Sequence, residues 1–432
     1  MTASPNGPTP QRKPRRRWRW HVPPALVHGN ETLEGTEMLD EIGGAPGMVL
    51  WQSMRDATLW ATVREPEERA GLFAPGAHER RLRDLESAGV DAALEVPLRA
   101  LAAVSRDPAG VTEQEVLAAC RDVSQWAAER DLLATAIAFA TAGAVAAPTN
   151  ASAGFKVGQL ARRKAEYARA ETWFRRVIGL GRQAKDWASY AEAFLGLGNL
   201  YVMRGNFPAA RRFHIRGLRA ARRHGLRDII ARASHDLFGI AIRTDNATEA
   251  QEWARAAFRA YGPHHPRLPA LAHDLAFFWL TRGRFASALA VFQAVLPLLT
   301  EPSERLLGAA DIGRAAGAAG EREAFEQAWD EVFSYAGDWY ARENAAQALL
   351  DLARGASSLK EWSRAERAAT TSRDVAAHRK EERVVFEAES LLDSLARKRY
   401  IEEEVKRDLP AEEAEVLAAD LLRTLRENAA AR

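Results

Sequence analysis

Residues 194–218 read FLGLGNLYVMRGNFPAARRFHIRGL, and this stretch decides the fold. Phe194, Leu197 and Tyr201 fall three or four residues apart, which places them on one face of a helix, and Gly198 is small enough to let a second helix approach closely. Gly205-Asn206-Phe207-Pro208 supplies the turn. Glycine takes the left-handed conformation that ends a helix, and proline suits the first turn of the next. Ala210, 13 residues after Leu197, then opens the second helix. The unit is a helix pair, and neither helix can bury its apolar face alone.

Laid along the chain in both directions, the same 13-residue ruler finds further pairs. The small second-helix position recurs at Ala136, Ala170, Ala210, Ala250, Ala288 and Ala365, and the first-helix apolar position at Val123, Val157, Leu197, Leu237, Leu275 and Leu352. Successive alanines are 34, 40, 40 and 38 residues apart, followed by a gap of 77 that holds one irregular unit pairing Ile312 with Phe325 and Trp329. Ala170-x3-Phe174 and Ala288-x3-Phe292 set a large residue beside the small one.

Phe194-x2-Leu197-Gly198-x2-Tyr201 with Ala210, and the Ala-x3-Phe pairs, resemble the tetratricopeptide repeat over roughly residues 112–400. That resemblance implies an all-α, right-handed superhelical solenoid of about seven helix-turn-helix units, each stabilised by its neighbours. It implies a concave groove lined by the first helices, where a protein or peptide partner binds. Units longer than the usual 34 residues look like those in ligand-sensing arms of bacterial regulators, and also like lengthened repeats in plain scaffolds.

Four segments are expected. Residues 1–30 carry six basic residues between Arg12 and Arg19, within RKPRRRWR, and read as a disordered basic arm. Residues 31–105 form a small helical region with no assignable motif, 106–400 the repeat superhelix, and 401–432 a C-terminal capping helix that includes the charged IEEEVKRDLP at 401–410. The closing helices are expected at Glu381–Tyr400 and Pro410–Leu425.

Composition narrows the function classes. With 432 residues, 47% hydrophobic and 27% charged, the chain is a folded one, and its single cysteine, Cys120, allows no intramolecular disulfide and fits a reducing, cytoplasmic setting. Cys120 reads as a small core residue rather than a nucleophile. No export signal is expected, and the apolar run Leu132–Ala147 is shorter than a membrane span. The motifs GxxxxGK[ST], GxGxxG, GxSxG and HExxH do not occur. A non-enzymatic protein without cofactor is expected.

Candidate groove residues are Arg162, Arg163, Asn199, His235, Asp236, His273, Asp274 and Phe277. His235-Asp236-Leu237 and His273-Asp274-Leu275 repeat the same pair before the signature leucine, on first helices about 10 Å apart. Three roles stay open for them: contacting a peptide, structural hydrogen bonding, or holding a divalent metal, the last disfavoured because adjacent residues point about 100° apart on a helix. The chaperone-binding members of the family hold a partner's C-terminus with a clamp of Lys, Asn and Arg. Asn199 matches that pattern, but Leu195 stands where the lysine would be. The charge is also uneven. From Lys156 to Arg232 there are 18 basic and 5 acidic residues, and from Glu381 to Arg432 there are 9 and 14. Arg212, Arg216, Arg219 and Arg223 lie on one helix face, either as a solvated surface or, with the basic arm, as a contact for nucleic acid or an acidic protein. The alternative function is therefore a ligand-sensing regulatory or nucleic-acid-associated protein.

Overall fold

The computed structural model describes residues 36–337, 339–340, 344–379, 381–397 and 411–430. The basic arm expected at 1–30 and the charged stretch at 401–410 lie outside the described residues. Among the described residues the regular structure is entirely helical.

The chain divides into two compact units after Leu200. The first contains α1 (Met38–Glu41), α2 (Gly44–Thr62), α3 (Pro66–Arg69), α4 (Ala77–Ser87), α5 (Ala92–Ala103), α6 (Glu113–Glu129), α7 (Leu133–Ala146), α8 (Ala151–Arg163), α9 (Tyr167–Ala184) and most of α10 (Trp187–Met203). The second contains α11 (Phe207–Arg223), α12 (Arg227–Arg243), α13 (Ala247–Tyr261), α14 (Leu268–Thr281), α15 (Phe285–Val295), α16 (Pro302–Ala319), α17 (Arg322–Ser334), α18 (Ala345–Ser358), α19 (Trp362–Arg379), α20 (Glu382–Ala396) and α21 (Ala411–Ala430).

The residues picked out by the ruler are the ones that pack. Val123, Val157, Leu197, Leu237, Leu275 and Leu352, and the six alanines partnering them, are buried. A left-handed residue precedes each small residue by five positions: Asp131, Ala165, Gly205, Asp245, Gly283, Gly320 and Lys360. The residue after it donates its backbone N–H to a carbonyl five positions back, as Asn206 does to Tyr201 and Glu321 to Ala316, which closes the helix. Gly320 carries the count through the irregular unit and puts Phe325 where the others have alanine. In the first unit Phe174 fills the space that glycine leaves. A Cβ on Gly158 would stand 2.8 Å from its ring, and one on Gly196 2.6 Å.

The region before the repeats shares a core with them. Leu50, Trp60, Leu94, Leu98 and Leu101 join Val116, Val123, Phe139 and Val145 in one buried cluster. Glu41 caps α7, its carboxylate accepting from the backbone N–H of Ala134 (2.7 Å) and Thr135 (2.8 Å), where the positive end of the helix dipole favours a negative charge. The indole N–H of Trp60 donates to the carbonyl of Pro108 at 2.7 Å. In the second unit, the C-terminal helix α21 packs on α15 and α14. Its stripe Ala414, Leu417, Ala418, Leu421 and Leu425 needs an apolar surface, and is buried there.

Candidate functional site

The site is built on a position that recurs in the second unit. The residue just before the signature position is aspartate on four successive first helices: Asp236 on α12, Asp274 on α14, Asp311 on α16 and Asp351 on α18. The ladder of 3.6 residues per turn places the last three toward the preceding first helix, while Asp236 faces His214 on α11. Each of the last three accepts a hydrogen bond from the helix before it. His235 Nε2 meets Asp274 at 2.9 Å, His273 Nε2 meets Asp311 at 2.8 Å, and Arg314 Nη1 donates to Asp351 at 2.8 Å. The donor moves from two residues before the signature position to two residues after it when histidine gives way to arginine.

The series continues to α20. Asp351 also accepts from Arg354 at 3.0 Å and Gln347 at 2.7 Å, and Arg354 reaches Glu387 at 2.9 Å. Asp311 and Asp351 are each only 1% exposed, so these charges sit in the interior and are fully committed to partners. Glycine makes this closeness possible. A Cβ on Gly317 would stand 2.2 Å from the carbonyl oxygen of Gly355, so the backbones of α16 and α18 touch. At α14 the surface opens. Asp274 has 56% of its side chain exposed and Phe277, one turn on, is 38% exposed, with the Arg314 guanidinium 5.7 Å from its ring.

Charge and burial set the titration of this site. Burial alone would lower the His273 imidazole, but its hydrogen bonds to Asp274 and Asp311 outweigh that and raise it to about 10. Burial would raise Asp274, yet His235 and His273 bring it down to about 2. Burial pushes Asp311 up against the pull of His273. A proton held more tightly in the folded than in the unfolded chain stabilises the fold, fully so below the unfolded value of about 6.5 and fading as pH rises toward about 10. The urea midpoint of the protein should therefore exceed that of His273→Gln most at pH 6 and converge with it toward pH 10. His214, on α11, acts in the opposite sense. Its imidazole is buried with Nδ1 3.5 Å from Asp236 and neither nitrogen hydrogen-bonded among the described residues, and burial lowers it despite the pull of Asp236. Below about pH 6.5 the unfolded chain takes up a proton that the folded site resists, so stability falls, and His214→Leu should flatten that acid limb.

The expected groove residues are thus distributed rather than gathered. His235, His273 and Asp274 meet, with Tyr261 OH 3.3 Å from His235 Nδ1, and Phe277 follows Asp274 by one turn of α14. Asp236 instead faces His214. The expected set of His235, Asp236, His273 and Asp274 in one pocket is therefore not formed, Asp311 rather than Asp236 meeting His273, and among the described residues no group of three or more His, Cys, Asp or Glu side chains is placed to hold a metal. Arg162, Arg163 and Asn199 belong to the first unit. Arg163 is drawn to the α6–α7 turn, donating to Asp131 at 3.1 Å, and Arg162 and Asn199 are half-buried. Leu195, at the clamp lysine position, is buried, as is Cys120, whose thiol burial pushes up to about 12. Arg212, Arg216, Arg219 and Arg223 are exposed on α11. Asp311, Arg314, Asp351 and Arg354 were not singled out from sequence. The signal was there, as Asp-x2-Arg at 311–314 and again at 351–354, one residue before each signature position.

No family model and no curated protein matches the chain. Solved structures do. A signal transduction ATPase with a tetratricopeptide repeat sensor from Pyrococcus horikoshii is similar over 90% of this chain and 58% of its own, with a TM-score of 0.50 and 12% identity. This chain therefore spans little more than half of that protein. BtubC from P. vanneervenii matches over 54% of this chain and 94% of its own at a TM-score of 0.41 and 13% identity. A Rap protein complexed with competence and sporulation factor matches over 84% and 98% at 0.35 and 10%.

Proposed function

We propose, from the premise that this chain carries a tetratricopeptide-repeat fold, that it is a non-enzymatic interaction scaffold holding a segment of a partner protein against its first helices. The observation that carries this reading is the exposed face of α14. Ala270, Asp274 and Phe277 are exposed, at intervals of four and three residues, on a helix whose opposite face is buried. An exposed ring beside an exposed carboxylate offers a partner one apolar anchor and one acceptor, and His235 and His273 hold the carboxylate in place. A cytoplasmic setting fits the reduced, buried Cys120. No helix among the described residues is long and apolar enough to cross a membrane.

A photoactivatable residue in place of Phe277 tests the reading in the native host. It should crosslink a discrete partner, and Asp274→Asn should cut the yield about five-fold or more, in the range for an interface hot spot. The same residue placed at Phe386, which is exposed on α20, serves as the control. Equal products from both positions, or none from position 277, would remove α14 as the contact surface.

A further inference from the structure

The second unit carries another surface, independent of α14. We propose that the outer face of α11 docks an acidic α-helical segment of a partner protein. Arg212, Arg216, Arg219 and Arg223 line this face over about 16 Å, at intervals of four, three and four residues. The opposite face, Ala210, His214, Gly217, Leu218 and Ala221, is buried, so the helix is fixed and its arginines point outward.

The stripe lacks internal compensation. α11 contains no Asp or Glu, and among the described residues none of the four arginines meets a carboxylate. On α19, by contrast, Arg364, Arg373 and Arg379 are each held by one, at 2.7, 2.8 and 2.7 Å. Like charges three and four residues apart repel along a helix. Arginine near the C-terminal end is favoured by the helix dipole, which accounts for Arg223 but not for Arg212 in the N-terminal half. The repulsion is relieved when carboxylates arrive from outside.

The shape of the stripe selects the occupant. The four arginines run in line along the helix axis, flanked by the exposed Arg222 and by Arg211, which is already paired with Glu249 of α13 at 2.6 Å. The neighbouring rings of Tyr201 and Phe213 are engaged with each other, stacked at 5.2 Å, with the Arg204 guanidinium 5.5 Å from the Tyr201 ring, where single-stranded nucleic acid would stack its bases on open rings. A straight line of four charges with helical spacing is matched by carboxylates at i, i+4, i+7 and i+11 of a second helix.

The test uses the full chain and a labelled alanine-based peptide of about 20 residues, long enough to be helical, with glutamate at i, i+4, i+7 and i+11. Fluorescence anisotropy at low salt should show binding that Arg212→Gln, Arg216→Gln, Arg219→Gln and Arg223→Gln together weaken about ten-fold or more, and that Phe277→Ala leaves unchanged. Glutamine is a good helix former and keeps α11 intact, which circular dichroism checks. Three outcomes would overturn the proposal: equal binding by the quadruple variant, equal binding of a peptide with the glutamates scrambled around the helix, or tighter binding of a thymidine oligonucleotide than of the helical peptide.

Discussion

Gly355→Ala is expected to destabilise the second unit by about 3 kcal/mol, at the upper end of the range for overpacking a core. The sign is the informative part. In an open helix interior, alanine is better than glycine by about 1 kcal/mol. At Gly355 the added Cβ would stand 2.4 Å from the carbonyl oxygen of Gly313 and 3.1 Å from the Cα of Arg314, both backbone atoms that cannot rotate away. α18 must then move off α16. That motion also stretches the 2.8 Å hydrogen bond between Arg314 and Asp351, so packing and electrostatics fail together. Gly239→Ala on α12 is the control, because nothing lies within 4 Å of its Cβ position, and it should stabilise by about 0.5–1 kcal/mol. Urea unfolding followed by circular dichroism separates the two. A Gly355→Ala midpoint at or above that of the unaltered protein would show that α16 and α18 are not in backbone contact.

Asp351→Ala should cost about 3–5 kcal/mol, the loss typical of removing one partner from a buried ion pair. It takes a hydrogen-bond acceptor from the buried Arg314, and from Arg354 and Gln347 as well. The pair itself is a different matter. Two charges withdrawn from water lose about as much hydration as their attraction returns, so Asp351→Leu combined with Arg314→Met should recover most of the loss. A double-mutant cycle on the two positions measures the coupling. A cost below about 1 kcal/mol for Asp351→Ala would mean that water reaches this carboxylate and that the series of charges along the first helices is a surface feature.

These two sites also explain which parts of the molecule were readable in advance. The helix pairs were, because they depend on residues within a span of 13: an apolar position, a turn and a small residue. The left-handed turn residue was partly readable. Gly205, Gly283 and Gly320 announce it, but Ala165 and Lys360 take the same conformation where their side chains give no hint, because stacking imposes it. The N-terminal region was legible as helices only. Glu41 and Ala134 are far apart in sequence, and nothing local in either says that one caps the helix of the other. For the candidate site, His235, His273 and Asp274 stood out through the repeated His-Asp-Leu, whereas Asp311 and Asp351 did not, since their neighbours differ.

The sequence by itself determined the repeating helix pair, the residues at each crossing and the concentration of arginine on α11, since all three follow from periodicity along one helix or two. Only the tertiary structure decided what each polar residue does. Whether an aspartate one position before the signature residue is exposed, as Asp274 is, or sealed, as Asp351 is, depends on how closely neighbouring first helices approach. Glycines on two different helices, Gly317 and Gly355, set that distance, and their meeting is a property of the stack that neither segment carries alone.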